Sequence, residues 1–209
     1  GTRIPVSGNE VSMNAIAVAA PAGSRQLHKF GGSSLADVKC YLRVAGIMSE
    51  YAKPGDMMVV SAAGSTTNQL ISWLKLSQTD RISAHQVQQT LRRYQSDLIS
   101  GLLPPEMAEP LIASFIHDLE RLAVLLDGKV TDAIYAEVVG HGEIWSARLM
   151  SAVLCKLELP AAWLDAREFL RAERAAQPQV DEGRSYPLLQ QLLAQHPQQY
   201  LVVTGFISR

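Results

Sequence analysis

Cysteine is scarce in this sequence, with only Cys40 and Cys155 in 209 residues. Both fall in helix-like apolar patterns without Cys-x-x-Cys spacing, so neither a disulfide framework nor a metal site is indicated. We expect two reduced, buried thiols, which is typical of a cytoplasmic protein.

The sequence also lacks an excess of charge of either sign and any long hydrophobic run. The 19 basic and 20 acidic residues give a net charge of −1, and no apolar run approaches the ~20 residues that a bilayer requires. We therefore expect neither a nucleic-acid partner nor a membrane partner. A composition of 47% hydrophobic and 19% charged residues is typical of a folded globular protein.

The first 24 residues show little pattern. Residues 15–22 are small and apolar, but they are short for a signal peptide and lack a basic flank. Met13 resembles a natural start, so residues 1–12 would be an upstream extension or a vector-derived tail. We treat residues 1–24 as a flexible N-terminus and residues 25–209 as one folded region.

The remaining pattern alternates between strands and helices. Short, wholly apolar runs are typical of strands buried in a parallel sheet, and apolar residues spaced three and four apart indicate helices. The sequence therefore predicts an α/β fold, a three-layer α/β/α sandwich with a mainly parallel sheet. The predicted strands are residues 25–30, 57–60, 160–164 and 199–204, with a further short strand near Val180, and the predicted helices between them are residues 35–52, 69–77, 131–139, 143–157 and 186–196.

A block of helices interrupts this alternation. Residues 83–99 and 106–126 read as two helices, and we expect residues 83–126 to form an insertion that packs over one side of the sheet. Its two histidines, His85 and His117, are far apart and read as surface residues.

Residues 29–34, KFGGSS, stand between the first strand and the first helix. Two glycines allow close backbone approach to an anion, and the helix that follows, with Ser34 as its N-cap, would add unpaired N–H groups. Lys29 supplies a full positive charge. The stretch predicts a phosphate site, although a plain tight turn explains a Gly-Gly pair equally simply.

Residues 61–68 follow the second strand as a small, hydroxyl-rich loop. Ligands of open α/β sheets bind at the carboxyl ends of the strands, which favours a ligand role for this loop. The alternative is an ordinary helix N-cap by Thr66 or Thr67.

Gly140, His141 and Gly142 interrupt a helical pattern. We expect one helix to end there and a second to begin, which puts Glu143 in a first turn. Its carboxylate then either complements the helix dipole or faces a cleft and binds a substrate ammonium. Asp165, at a strand end, is either a site residue or a helix cap.

Together these three segments resemble the aspartokinases of the amino-acid kinase fold. That family carries K-F-G-G-[ST]-S, then S-A-x-x-x-x-T-N after its second strand, then G-E-x-x-S, and all three occur here in that order. Residues 163–167 and 204–207 also fit. The resemblance covers residues 25–209, and residues 25–34 and 61–79 are most similar to the bifunctional branch that also carries homoserine dehydrogenase.

The resemblance implies transfer of the ATP γ-phosphoryl group to the β-carboxylate of L-aspartate, the first step towards methionine, threonine and lysine, with ATP and Mg²⁺ required. Lys29 would hold the transferred phosphoryl group. The other positions that match the family are Gly31, Gly32 and Ser33 for the phosphates, and Ser61, Thr67 and Glu143 for aspartate. No residue is assigned to a metal.

The sequence stops short of the family's G-R-G-G-S-D element, its adenine-binding strands and its regulatory domains. We therefore expect the N-terminal part of the fold only, a piece with little or no activity alone, and an exposed sheet edge that favours homo-oligomers. NADP would serve only a dehydrogenase part.

Three alternatives remain. Other kinases of this fold, for glutamate, acetylglutamate, carbamate or uridylate, share the lysine and glycines but not the Glu143 element. An NAD-binding Rossmann domain would need G-x-G-x-x-G. A non-catalytic fragment that only associates is the third.

Overall fold

The computed structural model describes residues 2–4, 11–13, 16–18, 25–167, 191 and 194–205. Its strands are β1 (Thr2–Ile4), β2 (Val11–Met13), β3 (Ile16–Val18), β4 (Arg25–Phe30), β5 (Met57–Val60), β6 (Ala161–Leu164) and β7 (Tyr200–Thr204). Its helices are α1 (Val38–Tyr51), α2 (Thr66–Ser77), α3 (Arg81–Leu102), α4 (Pro105–Leu126) and α5 (Asp132–Lys156), and a 3₁₀ turn spans Gly32–Leu35.

Five of the strands form one sheet in the order β3-β4-β5-β7-β6. Strands β4, β5, β7 and β6 are parallel to one another, and β3 is antiparallel to β4 at one edge. Lys29 lies opposite Val59, which lies opposite Val203, so the strand ends are nearly level. The predicted mainly parallel sheet and α/β class are confirmed.

One face of the sheet packs against α1 and α5. Buried side chains of the strands and these helices form the main core, which includes Phe30, Tyr41, Met48, Met58, Val60, Leu149, Met150 and Val202. The predicted strand near Val180 and most of the predicted helix at 186–196 lie outside the described residues.

The two helices predicted at 83–99 and 106–126 are confirmed as α3 and α4. They pack on α1, α2 and α5, and Leu98, Ile99, Leu102 and Ala108 join the main core on that side of the sheet. They have a second core of their own, formed with α2 and α5 from Leu70, Trp73, Leu91, Phe115, Leu119, Leu122, Leu126 and Trp145. Within the described residues no helix is both long and apolar enough to cross a membrane.

The start of the first helix was predicted wrongly. The chain forms the 3₁₀ turn first, and α1 begins only at Val38 with Asp37 as its N-cap, whose side chain accepts a 2.9 Å hydrogen bond from the N–H of Cys40. Ser34 lies inside the 3₁₀ turn, so the capping role passes to Asp37, another favourable N-cap residue.

The start of the second helix was also wrong. Helix α2 begins at Thr66, three residues before the predicted Gln69, and its N-cap is Ser65, which makes no side-chain capping bond. Neither Thr66 nor Thr67 is the N-cap that the alternative reading required.

The predicted helix break at Gly140, His141 and Gly142 is absent, because α5 runs unbroken from Asp132 to Lys156. Each glycine inside a helix costs about 1 kcal/mol relative to alanine, so packing must offset that cost. A Cβ on Gly142 would lie 2.9 Å from that of Ala62, and one on Gly140 would collide with the Arg167 guanidinium. Both glycines therefore serve close approach.

The expectation of buried cysteines was wrong. Cys40 is half-buried and Cys155 is exposed, and both thiols are free.

Candidate active site

The carboxyl ends of β4, β5 and β7 meet at one edge of the sheet, which we call the ligand edge. The N–H of Ser61 donates to the carbonyl of Phe30 over 3.2 Å, and the N–H of Gly205 donates to the carbonyl of Val60 over 3.0 Å. These bonds continue the ladder beyond the strands. The segments that follow the three strands therefore lie side by side.

The Gly-Gly turn, residues 31–35, is held against the loop that follows β5. The N–H of Gly64 donates to the carbonyl of Gly32 over 3.2 Å. A Cβ on Gly32 would lie 3.2 Å from the Ala62 oxygen, so this glycine is needed for the contact. A Cβ on Gly31 would have no described atom within 4 Å. Contacts within the described chain therefore do not account for Gly31, and its position is open to a ligand.

Lys29 lies at the end of β4, next to the Gly-Gly turn. Its side chain is exposed and makes no hydrogen bond or ion pair within the described ranges. Part of the predicted contribution of a helix N-terminus is already used, because the Asp37 carboxylate accepts a hydrogen bond from the N–H of Cys40 at the start of α1. That hydrogen bond lowers the pKa of Asp37. Positive charge at the turn therefore comes from Lys29 and from the turn's own N–H groups.

The β5–α2 loop, residues 61–65, carries Ser61, which is half-buried, and leads to two threonines with opposite environments. Thr66 is fully buried, and its hydroxyl accepts a 2.9 Å hydrogen bond from the Gln95 amide. Thr67, the next residue, is exposed at the start of α2. The buried threonine anchors the helix, and the exposed one is accessible to a ligand.

Glu143 projects from the middle of α5 to the ligand edge. Its Oε1 atom lies 2.8 Å from where a Cβ would stand on Gly205, the residue that follows β7. Its Oε2 atom is buried and has no hydrogen-bond partner among the described residues. Burial raises the pKa of Glu143 to about 7, with Arg167 opposing and Asp165 adding to the shift.

Arg167 is the cation that opposes the rise in the pKa of Glu143, and it also contacts two other carboxylates. Its guanidinium lies 3.3 Å from the Asp165 carboxylate and 3.6 Å from that of Glu137, and it packs over Gly140. The Asp165 carboxylate also accepts the N–H of Arg167, so Asp165 organises the turn after β6. None of these contacts pairs the Oε2 atom of Glu143. A buried carboxylate oxygen without a partner is destabilising unless a hydrogen-bond donor or a cation binds it.

Three structurally important side chains were missed at the sequence level, namely Tyr94, Gln95 and Arg167. Arg167 stands in a segment that fits the family pattern and was within reach of that reasoning. Tyr94 and Gln95 lie in α3, where the sequence carries no recognisable chemistry. Ser146 of the third motif is buried and its hydroxyl is 2.7 Å from that of Tyr41, so it joins α5 to α1.

Comparisons with known proteins agree with this arrangement. The model of the amino acid kinase family matches residues 24–209. Over 197 residues the chain is 81% identical to the bifunctional aspartokinase/homoserine dehydrogenase 2 of Escherichia coli K12, which covers 94% of this chain and 24% of that protein. It is 28% identical over 184 residues to lysine-sensitive aspartokinase 3 of the same organism, covering 86% of this chain and 40% of that one.

Solved structures show the same fold. Crystal structures of E. coli aspartokinase III, one in complex with aspartate and ADP and one with lysine and aspartate, superpose with TM-scores of 0.66 and 0.67 at 22% and 21% identity. Each match covers 86% of this chain and 40% of the other. The chain spans about a quarter of the bifunctional relative, and the expected amino-acid kinase fold and membership of the amino acid kinase family are confirmed.

Proposed function

The chain belongs to the amino acid kinase family, and from that premise we propose that it forms the N-terminal, aspartate-binding part of an aspartokinase domain. The full-length protein would transfer the γ-phosphoryl group of ATP to the β-carboxylate of L-aspartate, giving 4-phospho-L-aspartate. The observation that carries this proposal is the buried, unpaired carboxylate oxygen of Glu143 at the ligand edge.

The proposed reaction requires no general base from the protein. The nucleophile is a carboxylate that is already ionised at neutral pH, so the site must bring two anions together and offset their charge. Lys29 and the N–H groups of Gly31, Gly32 and Ser33 supply positive charge and donors next to the end of β4. Gly31 leaves room for a phosphate to approach the backbone.

Glu143 fits the other end of the substrate. An ammonium group beside its buried oxygen would supply the missing donor and would favour the ionised carboxylate. Exposed Thr67 and half-buried Ser61 supply hydroxyls at the same edge. Aspartate offers an ammonium at one end and the reacting carboxylate at the other, which matches this separation of a negative and a positive region.

Mg²⁺ enters this proposal with the nucleotide phosphates. The part of the chain that the structure describes holds no group of three His, Cys, Asp or Glu side chains arranged for a metal. We also propose a cytoplasmic location, which two free thiols support, and a homo-oligomer that uses an edge of the sheet. A homoserine dehydrogenase part that uses NADP would lie outside this chain.

The test is a lysine pair in a full-length protein that carries this chain. Acyl phosphate is trapped with hydroxylamine and measured as the hydroxamate. We expect Lys29→Met to lower aspartate-dependent transfer by on the order of a hundredfold or more. Lys75→Met removes an exposed lysine on α2 and should leave the rate unchanged.

Two results would overturn the assignment. Unchanged transfer in the Lys29→Met protein would remove Lys29 from the site. Transfer to glutamate, acetylglutamate, carbamate or uridylate, and not to aspartate, would place the protein with another kinase of this fold.

A further inference from the structure

Two adjacent side chains of α3, Tyr94 and Gln95, reach two different loops of the candidate site. Neighbouring residues of a helix point about 100° apart, so such a pair can contact separate segments. The Tyr94 hydroxyl donates to the carbonyl of Ala36 over 2.6 Å, and the Gln95 amide donates to the hydroxyl of Thr66 over 2.9 Å. The first bond holds the chain just after the Gly-Gly turn, and the second holds the start of α2.

The Tyr94 hydroxyl also lies close to Gly64 in the β5–α2 loop. A Cβ on Gly64 would lie 2.9 Å from this hydroxyl and 3.5 Å from the Cα of Ala36. Gly64 has φ of +49°, which favours glycine. Tyr94, Ala36 and Gly64 therefore form one three-way contact, and Gly64 in turn donates its N–H to the carbonyl of Gly32.

The contact between Gln95 and Thr66 is fully buried. Gln95 is 2% exposed and Thr66 is 0% exposed. Buried polar side chains with a single well-defined partner set orientation strongly, because losing the partner leaves a desolvated donor. Thr66 immediately precedes exposed Thr67, so the bond helps to set the position of Thr67 at the start of α2.

We propose that Tyr94 and Gln95 are positioning residues of this site, with Tyr94 holding the Gly-Gly turn for phosphate and Gln95 holding the start of α2 for aspartate. This inference rests on the proposed function above. Loops that bind substrates need support from rigid neighbours, since small displacements lower rates steeply. Helix α3 thereby acquires a direct part in substrate positioning.

The inference predicts a split between the two substrates. In a full-length protein that carries this chain, Tyr94→Phe should raise the KM for ATP about tenfold and leave that for aspartate within about twofold, given the usual worth of one hydrogen bond to a loop. Gln95→Met should do the reverse. Tyr51→Phe and Gln89→Met change exposed residues of α1 and α3 and should leave both constants unchanged.

A merely structural role predicts a different pattern. Both variants would then lower the melting temperature and alter both KM values together, which would overturn the proposal. Thr66→Val removes the acceptor of the same bond and should reproduce the Gln95→Met pattern. Thr66→Ser keeps the hydroxyl and should restore the aspartate KM.

Amide hydrogen exchange separates this inference from the proposed function. Tyr94→Phe should speed exchange at residues 32–36 and 64, and Gln95→Met at residues 66–69, each at least about fivefold over the matched control. Exchange equal to wild type in either variant would overturn the positioning role. A wild-type protein without aspartate-dependent transfer would overturn the proposed function, and the exchange result would still decide the inference.

Discussion

Helix α5 treats its buried polar groups in two ways. On the side that faces α4, the polar groups are paired with one another. At the ligand edge, the Oε2 atom of Glu143 is buried without a partner in the described residues. Both sets of side chains belong to the same helix, so the difference between them lies in the groups that each side contacts.

The paired side is centred on Asp118 of α4. Its Oδ2 atom accepts a 3.0 Å hydrogen bond from Trp145 and a 2.6 Å hydrogen bond from Arg148. Arg148 also lies over the ring of Trp163 at 5.1 Å, and Phe115 meets Trp145 edge to face at 4.7 Å. Every charge here has a partner, so this side needs no ligand to complete it.

His141 completes the paired side. Burial lowers its pKa, so the ring is neutral at pH 7. Its Nε2 accepts a 2.7 Å hydrogen bond from Arg121, and its Nδ1 therefore donates to the carbonyl of Glu137 over 2.6 Å. A histidine between two glycines of a site motif proves to be structural.

The contrast teaches where to look for a ligand. Native proteins leave few buried polar atoms unpaired, and each one needs an explanation. Three such side-chain atoms occur in the described residues, and the others belong to His28 and Gln69. Glu143 is the one carboxylate among them, and it lies beside Gly205 at the ligand edge. A substrate ammonium is the explanation that we propose.

The largest effect should come from breaking the paired side. Asp118→Ala leaves the Trp145 N–H and the Arg148 guanidinium without their acceptor. We expect a loss of about 4 kcal/mol in the free energy of unfolding, because removing one member of a buried, hydrogen-bonded pair strands the other. Urea denaturation measures it, with Glu120→Ala, an exposed change on α4, as the control. A loss below about 1 kcal/mol would mean that this side is not held by pairing.

The second-largest expected effect is a gain in the free energy of unfolding. The pKa of Glu143 is raised from 4.5 to about 7, so the folded state holds the proton more tightly than the unfolded chain does. The contribution of Glu143 to stability is therefore intact below pH 4.5 and is lost as the pH rises to 7. Glu143→Gln should add about 3 kcal/mol to the free energy of unfolding at pH 8 and little at pH 4.5.

Denaturation of wild type and Glu143→Gln across this pH range checks the sign. Taking the difference between the two proteins cancels the titration of His141, which both share. If Glu143→Gln destabilises the protein at pH 8, the carboxylate is paired after all and the contrast fails.

A smaller effect tests whether α5 touches the site loop. Gly142→Ala should cost about 1 kcal/mol net, because its Cβ would crowd Ala62 and Thr66 although alanine favours the helix. Gly46→Ala, on an open face of α1, has no described atom in the way and should gain up to about 1 kcal/mol. Thermal unfolding compares the two. Equal gains would mean that α5 stands clear of the loop.

Most strands and helices could be predicted from local sequence patterns, but several of their boundaries depend on contacts that such patterns do not reveal. The apolar strands and the long helices were predictable from periodicity, and the parallel sheet follows from their alternation. The unbroken α5 was not, because the packing that offsets Gly140 and Gly142 comes from residues far away in the chain. Local rules favour Ser34 as the cap because they do not predict the 3₁₀ turn that delays the start of α1 to Val38.

The candidate site was predictable only through the combination of three motifs. Lys29, Gly32 and Glu143 lie at or next to the ligand edge, and their roles there remain predictions. No pattern in residues 81–102 indicates that Tyr94 and Gln95 approach the loops, because an ordinary apolar stripe does not reveal which polar residue of a helix has a distant partner.

The most direct test of the account is calorimetric titration of L-aspartate into a full-length protein that carries this chain, at pH 7 in two buffers of different ionisation enthalpy. The account predicts binding with release of about half a proton from Glu143, given a pKa of about 7. Glu143→Gln should weaken binding at least about tenfold and abolish the release, while exposed Glu120→Gln should match wild type. Aspartate affinity unchanged in Glu143→Gln would contradict the central claim that this unpaired carboxylate receives the substrate ammonium.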